Sequence, residues 1–266
     1  MPFHSTNARQ RTLVTTRQRT NAFYISGEEG SPFFIFIGDE PHMNVEQYSE
    51  VFLDAVEALD VQRVAIVAGV NGPMPYDKDR EISCVYSLPG MRDEMESYAV
   101  RLSNYEGGAT IGVYLADRAE ARGIEVVTLY AMVPAYDFSQ ASTTVQRVSA
   151  EEDYKAWYDL MRRLDYMFGL DLDLSDLEDQ SAELITAWES RIAELKRKMP
   201  GVVGPYMERV NEDFSEESFD PDSAVVRSEQ RQKESSVNGQ GLPSGSPDLK
   251  YQTYQSQTGG RENTTR

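Results

Sequence analysis

Two nearly uninterrupted apolar runs lie in the first third of the chain, at residues 33–37 and 63–69. Runs of this kind are typical of strands that are covered on both faces of a sheet. Between them, apolar residues recur at steps of three and four, which predicts an amphipathic helix. These residues are Val45, Tyr48, Phe52, Ala55, Val56 and Leu59. The pattern predicts a right-handed βαβ unit whose two strands run parallel and side by side.

Further strands and helices are predicted on either side of this unit. Residues 22–26 and 33–37 flank a short loop with two glycines, which predicts a β-hairpin. Strands are also predicted at 82–86 and 125–133, the latter ending before Pro134, and helices at 92–102 and 110–122. Alternation of strands and helices is typical of a layered α/β fold. We therefore expect residues 22–140 to form an α/β core with a mixed, mostly parallel sheet.

Residues 141–214 have a helical pattern. A helix is predicted at 151–168, ending at Gly169, and a second begins near Ser175, which has Glu178 three residues later as in a capping box. The second helix has a narrow apolar seam of Leu177, Ser181, Leu184, Trp188, Ile192, Leu195 and Met199. Such a seam fits a helical hairpin, which we expect, or an intermolecular coiled coil.

Both ends of the chain differ in composition from this core. Residues 215–266 are rich in Ser, Gln, Gly and Asn with few aliphatic residues, which predicts a disordered tail. Residues 1–21 contain Arg9, Arg11, Arg17 and Arg19 and no acidic residue. Such a start can be an organelle transit peptide, but no amphipathic helix is evident. We expect a weakly ordered basic segment with a short edge strand at residues 12–15.

Composition excludes several classes of function. The net charge of −18 over 266 residues argues against a nucleic-acid partner, because phosphates are bound by basic surfaces. The single cysteine, Cys84, cannot form an intrachain disulfide and provides no zinc-ligand spacing. No apolar run approaches the roughly 18 residues that cross a bilayer. We expect a cytoplasmic protein with no metal or cofactor and no membrane contact.

Polar loops follow the two strands of the predicted βαβ unit. Ligands of α/β sheets gather beyond the carboxyl ends of the strands, so these loops are the first place for a pocket or rim. The candidates are Asp39, Glu40, His42, Asn71 and Tyr76. The acids and the histidine could bind a metal or act as acid and base. Alternatively, they form a turn whose acids are favoured by the following helix dipole.

A glycine-rich loop contributes Tyr105, Glu106 and Gly107 to the same candidate rim. Glycines before a helix can bring backbone amides against an anion. The spacing is neither a Walker loop nor Gly-x-Gly-x-x-Gly, no lysine follows, and Glu106 would repel an anion. Tight packing of the loop is the alternative to ligand binding. A Ser-His-Asp triad has little support, because the only other histidine is His4.

The order of several motifs resembles the proteasome assembly chaperone 2 family, some of whose members are called ATP-grasp-like or carboxylate-amine-ligase-like. The motifs are Gly38-Asp39-Glu40-Pro41, Val64 to Gly69, Asn104-Tyr105-Glu106-Gly107, Leu129 to Pro134, and Gly169 to Leu174. The resemblance implies a three-layer αβα sandwich of the phosphorylase/hydrolase-like type and a homo-oligomer. It also implies a protein partner, since eukaryotic and some archaeal members assist or bind the proteasome core particle.

The sequence departs from this family in three ways. Members normally begin with a further strand and helix, so we expect either a misassigned start codon or a sheet with one uncovered edge. Members that dock on the proteasome end in a hydrophobic residue, tyrosine and one more residue, whereas this sequence ends Asn263-Thr264-Thr265-Arg266. Docking by that route is not expected. Tyr76 and Ala135 stand where the family often has histidine.

Two functions follow from these observations. The first is a non-enzymatic, self-associating protein-interaction domain similar to a proteasome assembly chaperone, with an unidentified partner. The alternative is a ligase-like or hydrolase-like enzyme, or a nucleotide-binding one, with a pocket at the strand ends lined by Asp39, Glu40, His42, Asn71, Tyr105 and Glu106. The first is favoured because no nucleophile–base pair and no phosphate-binding signature are present.

Overall fold

A computed structural model describes residues 21–28, 31–102, 110–139, 147–216 and 219–220. The strands are β1 Ala22–Glu28, β2 Ser31–Ile37, β3 Arg63–Gly72, β4 Ile82–Tyr86, β5 Arg101–Leu102, β6 Glu125–Asp137 and β7 Arg147–Ser149. The helices are α1 Val45–Ala58, α2 Arg92–Ser97, α3 Ile111–Arg122, α4 Tyr154–Phe168, α5 Ser175–Lys198 and α6 Pro200–Asp213, with a 3₁₀ turn at Pro89–Met91. Among these helices, none is both long and apolar enough to span a membrane.

The central sheet has the strand order β3-β6-β4-β5. β6 pairs parallel with all ten residues of β3 and antiparallel with β4, which pairs parallel with β5. β7 pairs antiparallel with the last three residues of β6. The sheet is therefore mixed and mostly parallel, and the predicted α/β class is confirmed.

Helices cover both faces of this sheet because successive side chains of β6 point to opposite sides. Val126 packs with α1 and α3, and Thr128 and Tyr130 lie against the start of α3. Val127 and Leu129 pack on the other side with residues of α2 and α4. All five side chains are buried. The result is the three-layer αβα sandwich that the sequence predicts.

The predicted side-by-side pairing of the strands at 33–37 and 63–69 is wrong. Among the described strands, β2 pairs only with β1, in a separate two-stranded antiparallel sheet whose first and last residue pairs are Ala22 with Ile37 and Glu28 with Ser31. The hairpin has its own apolar contact, because Phe36 meets the Phe52 ring of α1 edge-on with centroids 5.1 Å apart. β3 consequently stands at one end of the described sheet, and none of its ten residues is fully buried.

Two element boundaries also differ from prediction. The helix expected over 92–102 is shorter, because Ala99 has a left-handed backbone with φ of 49° and the chain then forms β5. β6 continues through Pro134 instead of ending before it. Its pairing with β3 ends at Pro134 and its pairing with β7 begins at Ala135. Pro134 has no N–H to donate, and it lies at the position where β6 changes from one partner strand to the other.

The C-terminal helices pack on the core and on one another. α4 and α5 form the expected intramolecular hairpin, and α6, which the sequence analysis did not predict, packs on α5. A cluster joins the end of β6 to α5 and α6 through Tyr136, Phe138, Trp188, Ile192, Leu195, Val203, Met207 and Val210. The expected capping box does not form, because Ser175 donates to Asp173 Oδ1 at 2.6 Å and has no side-chain role as the cap of α5.

The predicted disordered tail lies outside the described residues from residue 221 onward. Its first part is described, and Phe219 there is buried in the α2–α4 side of the core. The side chain of Arg163 lies over the Phe219 ring, 4.9 Å from its centroid. Phe219 therefore anchors this part of the chain to the domain, together with the hydrogen bond that Arg162 donates to the Phe219 carbonyl. The polar composition of the surrounding sequence does not predict this contact.

A buried charge cluster fastens the loop between β3 and β4 to α4. The Arg80 guanidinium donates to both carboxylate oxygens of Asp153, at 3.0 and 3.2 Å, and the Arg80 backbone N–H donates to Asp159 at 2.7 Å. Lys155 also donates to Asp159. Burial raises the pKa of Asp159, and the attraction of Lys155 opposes that rise. Each buried charge thus has an opposite partner, which burial requires.

Removing one member of this cluster should destabilise the whole domain. Arg80→Met leaves the Asp153 carboxylate buried without its cation, and breaking a buried pair in this way costs about 3–5 kcal/mol. The matched control is Arg92→Met, because Arg92 forms only an exposed pair with Glu96 and surface changes stay within about 0.5 kcal/mol. Urea unfolding measures both free energies, and equal losses would contradict the assignment.

Candidate functional site

The start of α3 lies against one face of the central sheet, at Thr128 and Tyr130 of β6. Glu40, from the turn after β2, accepts a hydrogen bond from the Ile111 N–H at 3.2 Å. Thr110 caps the same helix by accepting from the Val113 N–H at 3.4 Å, and its hydroxyl is hydrogen-bonded to the Tyr130 hydroxyl. A carboxylate of the chain itself therefore occupies the position at the helix N-terminus that favours an anion.

The helix start lies very close to the sheet at Gly112. A Cβ at this position would be 2.7 Å from Thr128 Cγ2 and 3.1 Å from the Tyr130 hydroxyl. Burial raises the pKa of Tyr130, and Glu40 adds a smaller effect in the same direction. Within the described part of the chain, the buried Thr128 Oγ1 has no hydrogen-bond partner. The contact is thus tight, and it leaves little room for a ligand between the helix and the sheet.

The other predicted rim residues lie in the turn around Glu40, near the end of β3, or outside the described residues. Asp39 and His42 are exposed in the turn around Glu40. Asn71 is exposed near the end of β3, three residues beyond Ala68, which pairs with Tyr130. Tyr105, Glu106 and Gly107 lie outside the described residues, so their part in a rim stays a prediction.

Tyr76 belongs to a different neighbourhood. Its ring is stacked on Trp188 of α5, with centroids 6.2 Å apart and planes 21° apart. Burial raises the pKa of Tyr76, and the nearby Asp77 raises it further. Tyr76 thereby connects the loop after β3 to the C-terminal helices and helps to build their aromatic cluster.

The described residues contain no group of three His, Cys, Asp or Glu side chains arranged to hold a metal ion. His42 is the only histidine among them, and it is exposed. Cys84 is buried, and burial raises the pKa of its thiol to about 12. The described rim residues therefore present the carboxylates of Asp39 and Glu40, the imidazole of His42 and the amide of Asn71.

A second feature, the hairpin groove, was not predicted. It is an open groove of about 490 Å³ between the β1–β2 hairpin and α1. It is lined by Asn21, Phe23, Phe36, Met43, Asn44, Gln47, Tyr48, Val51, Phe52 and Ala55. The sequence analysis missed this groove because it placed β2 inside the central sheet. A strand in that position would have no open side from which to form a groove with α1.

The opposite side of the same hairpin forms the outer hairpin face, which consists of Tyr24, Ile35 and Ile37. The pairing of Tyr24 with Ile35 and of Ala22 with Ile37 puts these three side chains on one face. They are 54 %, 45 % and 61 % exposed. Adjacent large apolar side chains that stay exposed are typical of interaction sites.

Comparison with known proteins gives one family and a set of similar structures. The model of the PAC2 family matches residues 1–196. No curated protein matches the chain significantly. Neither the family match nor the structures below support the ATP-grasp or carboxylate-amine-ligase label.

Three solved structures are similar in fold. A PAC2 family protein from Streptomyces avermitilis is 22 % identical, with a TM-score of 0.55 over 71 % of this chain and 72 % of that one. A proteasome-assembly chaperone homologue from Mycobacterium tuberculosis is 21 % identical, with a TM-score of 0.53 over 66 % and 68 %. An archaeal proteasome activator from Pyrococcus furiosus is 17 % identical, with a TM-score of 0.50 over 66 % and 72 %.

Because α3 approaches the sheet closely at Gly112, replacing this glycine with alanine should have an unusual effect on stability. Gly→Ala within a helix normally stabilises by about 0.5–1 kcal/mol, but Gly112→Ala forces a methyl against Thr128 and should destabilise by about 1–3 kcal/mol. Gly201→Ala is the control, since a Cβ there meets nothing within 4 Å. Thermal and urea unfolding measure both.

A second substitution checks the cause. Thr128→Ala removes the opposing methyl, so the double variant Gly112→Ala/Thr128→Ala should lose less stability than the two single losses added together. Strict additivity, or a stabilising Gly112→Ala, would show that the helix is not held against the sheet at this position.

Proposed function

Because the chain belongs to the PAC2 family, we propose that it is a non-enzymatic interaction protein that self-associates and acts like a proteasome-assembly chaperone. Its partner is a protein, either a second copy of the chain or a subunit of a larger assembly. We expect it to act in the cytoplasm. The named roles of the M. tuberculosis chaperone homologue and the P. furiosus proteasome activator agree with this class of function.

The outer hairpin face carries this proposal. A two-stranded sheet is marginally stable by itself, and here only one of its faces packs on α1. The other face leaves Tyr24, Ile35 and Ile37 in contact with water. Covering such side chains yields about 25 cal/mol for each Å² of apolar area removed from water. A partner seated on this face would stabilise both itself and the hairpin.

The charge of the chain supports selective association. A net charge of −18 disfavours random contact between copies, since like-charged surfaces repel. The three side chains that define the outer hairpin face, Tyr24, Ile35 and Ile37, are uncharged. An uncharged apolar face on an otherwise acidic molecule directs contact to that face.

The alternative function, an enzyme at the strand ends, remains a prediction. The interaction protein is favoured because Glu40 accepts a hydrogen bond at the α3 N-terminus and Tyr76 stacks on Trp188. Both side chains have structural partners in the folded domain. An enzyme would require residues 103–109 to complete a site with Asp39, His42 and Asn71.

Charge placed on the outer hairpin face should disrupt self-association. We expect the wild-type chain to sediment as an oligomer at about 50 μM. Tyr24→Asp/Ile37→Asp should associate at least about a hundredfold more weakly, since each of the two buried carboxylates costs about 1.4 kcal/mol or more. Leu59→Asp is the control, because Leu59 is an exposed apolar residue at the end of α1. A monomeric wild type, or equal masses for the two variants, would contradict the proposal.

A ligand screen separates the two functions. Thermal unfolding in the presence of ATP with Mg²⁺, or of Zn²⁺ or Mn²⁺ alone, should leave the Tm unchanged. A ligand held at 100 times its Kd would add about 2.7 kcal/mol, which is a shift of about 5 °C or more for a domain of this size. Such a shift that disappears in Glu40→Gln would favour the enzyme.

A further inference from the structure

The side chain of Phe219 enters the core from beyond the last helix, α6, which ends at Asp213. It is 2 % exposed, whereas Ser215 and Glu216 before it are exposed to water. Every other member of its apolar cluster lies between residues 65 and 167, before α5 begins. A single ring, supplied by a segment without helix or strand, therefore completes this cluster.

Three side chains of α4 contact this ring and form what we call the Phe219 pocket: Arg162, Arg163 and Tyr166. Tyr166 meets the ring edge-on, with centroids 5.8 Å apart. The guanidinium groups of Arg163 and Arg162 lie 4.9 and 5.7 Å from the ring centroid. A cation within about 6 Å of an aromatic face is attracted to it. The pocket therefore favours an aromatic side chain over an aliphatic one.

The main chain of the same segment is also bound by the domain. Arg162 donates to the Phe219 carbonyl at 2.6 Å, and Arg101 of β5 donates to the Ser215 carbonyl at 3.4 Å. Main-chain carbonyls are present in every peptide, so these two bonds do not depend on the side chains of the segment. Peptide-binding sites show the same division, in which main-chain bonds give affinity and a side-chain pocket gives specificity.

The charges of the segment and of its surroundings are opposite. Residues 212–222 contain six acidic residues and no lysine, arginine or histidine. Lys78 pairs with Glu216 at 3.3 Å, and the arginines that bind the segment add further positive charge. Arg101 also pairs with Glu81 at 2.9 Å, so part of its charge is balanced within the domain. On a chain with a net charge of −18, an acidic peptide thus meets cations at this place.

We propose that the Phe219 pocket, with Arg101 and Lys78 beside it, is a binding site for an acidic peptide that contains an aromatic residue. The segment with Ser215, Glu216 and Phe219 is the occupant that the chain itself supplies. A peptide of the same chemistry from a protein partner binds at the same place by replacing the Phe219 ring. The site is separate from the outer hairpin face, so this proposal does not depend on self-association.

A labelled peptide tests the site in the full-length chain. The probe is a fluorescein-labelled synthetic peptide with the sequence of residues 212–222, and fluorescence anisotropy measures its binding. In the wild-type chain the tethered segment competes at an effective concentration of about 1 mM, and Phe219→Ala removes this competitor, so the peptide should bind the variant at least about tenfold more tightly. A peptide with the same substitution should bind that variant at least about tenfold more weakly than the unchanged peptide, because it has no ring to bury.

A milder variant keeps the test valid if Phe219→Ala does not fold, since replacing a buried phenylalanine with alanine costs about 3–5 kcal/mol. Phe219→Leu keeps an apolar side chain in the pocket but offers no ring to Arg162 and Arg163. Urea unfolding identifies the folded variants, and the peptide should bind Phe219→Leu several-fold more tightly than wild type. Equal affinity for Phe219→Leu and wild type, or for the peptides with and without the ring, would overturn the proposal.

Two arginine substitutions in the Phe219→Leu background test recognition by the pocket. Arg162→Met removes a cation from the ring and a donor from the main chain, so peptide affinity should fall several-fold. The matched control is Arg191→Met, because Arg191 is an exposed arginine of α5 that pairs with Glu194. Equal losses would show general attraction between charges and overturn the proposal. A wild-type oligomer that dissociates in Phe219→Leu would overturn it too, since the segment would then dock on a second copy.

Discussion

The structure depends on the burial of β6 from both sides. Residues 126–131 of this strand are almost inaccessible to water, and their alternate side chains define the two helical layers. The same strand holds β3 on one side and β4 on the other, and its extension past Pro134 supplies Tyr136 to the aromatic cluster of the C-terminal helices. Both layers, the sheet and the helical hairpin are thus positioned by a single strand.

This arrangement also determines what remains uncovered. The sheet grows from β6 toward β4 and β5, and toward β3 it stops after one strand. Val67 and Val70 of β3 are therefore about half exposed, although their sequence resembles that of an interior strand. The β1–β2 hairpin, which the sequence places next to β3, is bound to α1 instead. Most of the exposed large apolar side chains of the described residues lie in the hairpin, α1 and β3.

Local patterns predicted most of the elements, and tertiary contacts decided what the patterns could not. The helix with Phe52 on its apolar side and the helix ended by Gly123 are as expected, because their signals lie within one or two turns. The predicted neighbour of residues 33–37 is wrong, because an apolar run can be buried equally well inside a sheet or against Phe52 of α1. α2 is shorter than predicted because the backbone of Ala99 is left-handed, a conformation that an alanine in the sequence does not predict.

The candidate site shows the same contrast between local patterns, which the sequence reveals, and long-range contacts, which it does not. Glu40 was selected for its place after a strand, but its bond to the Ile111 amide joins residues 71 positions apart. Arg80 and Asp153 are 73 positions apart, and neither has a local signal that predicts a buried pair. Glu40 and Tyr76 of the predicted rim make contacts that hold the domain together, whereas the hairpin leaves large apolar side chains exposed.

Hydrogen exchange at two protein concentrations tests this account most directly. If the hairpin is the contact surface, backbone amides of β1 and β2 should exchange more slowly when the chain is concentrated enough to associate, while those on the exposed face of α5 should not change. Protection confined to α5 and α6, or an associated state with no protection in the hairpin, would contradict it.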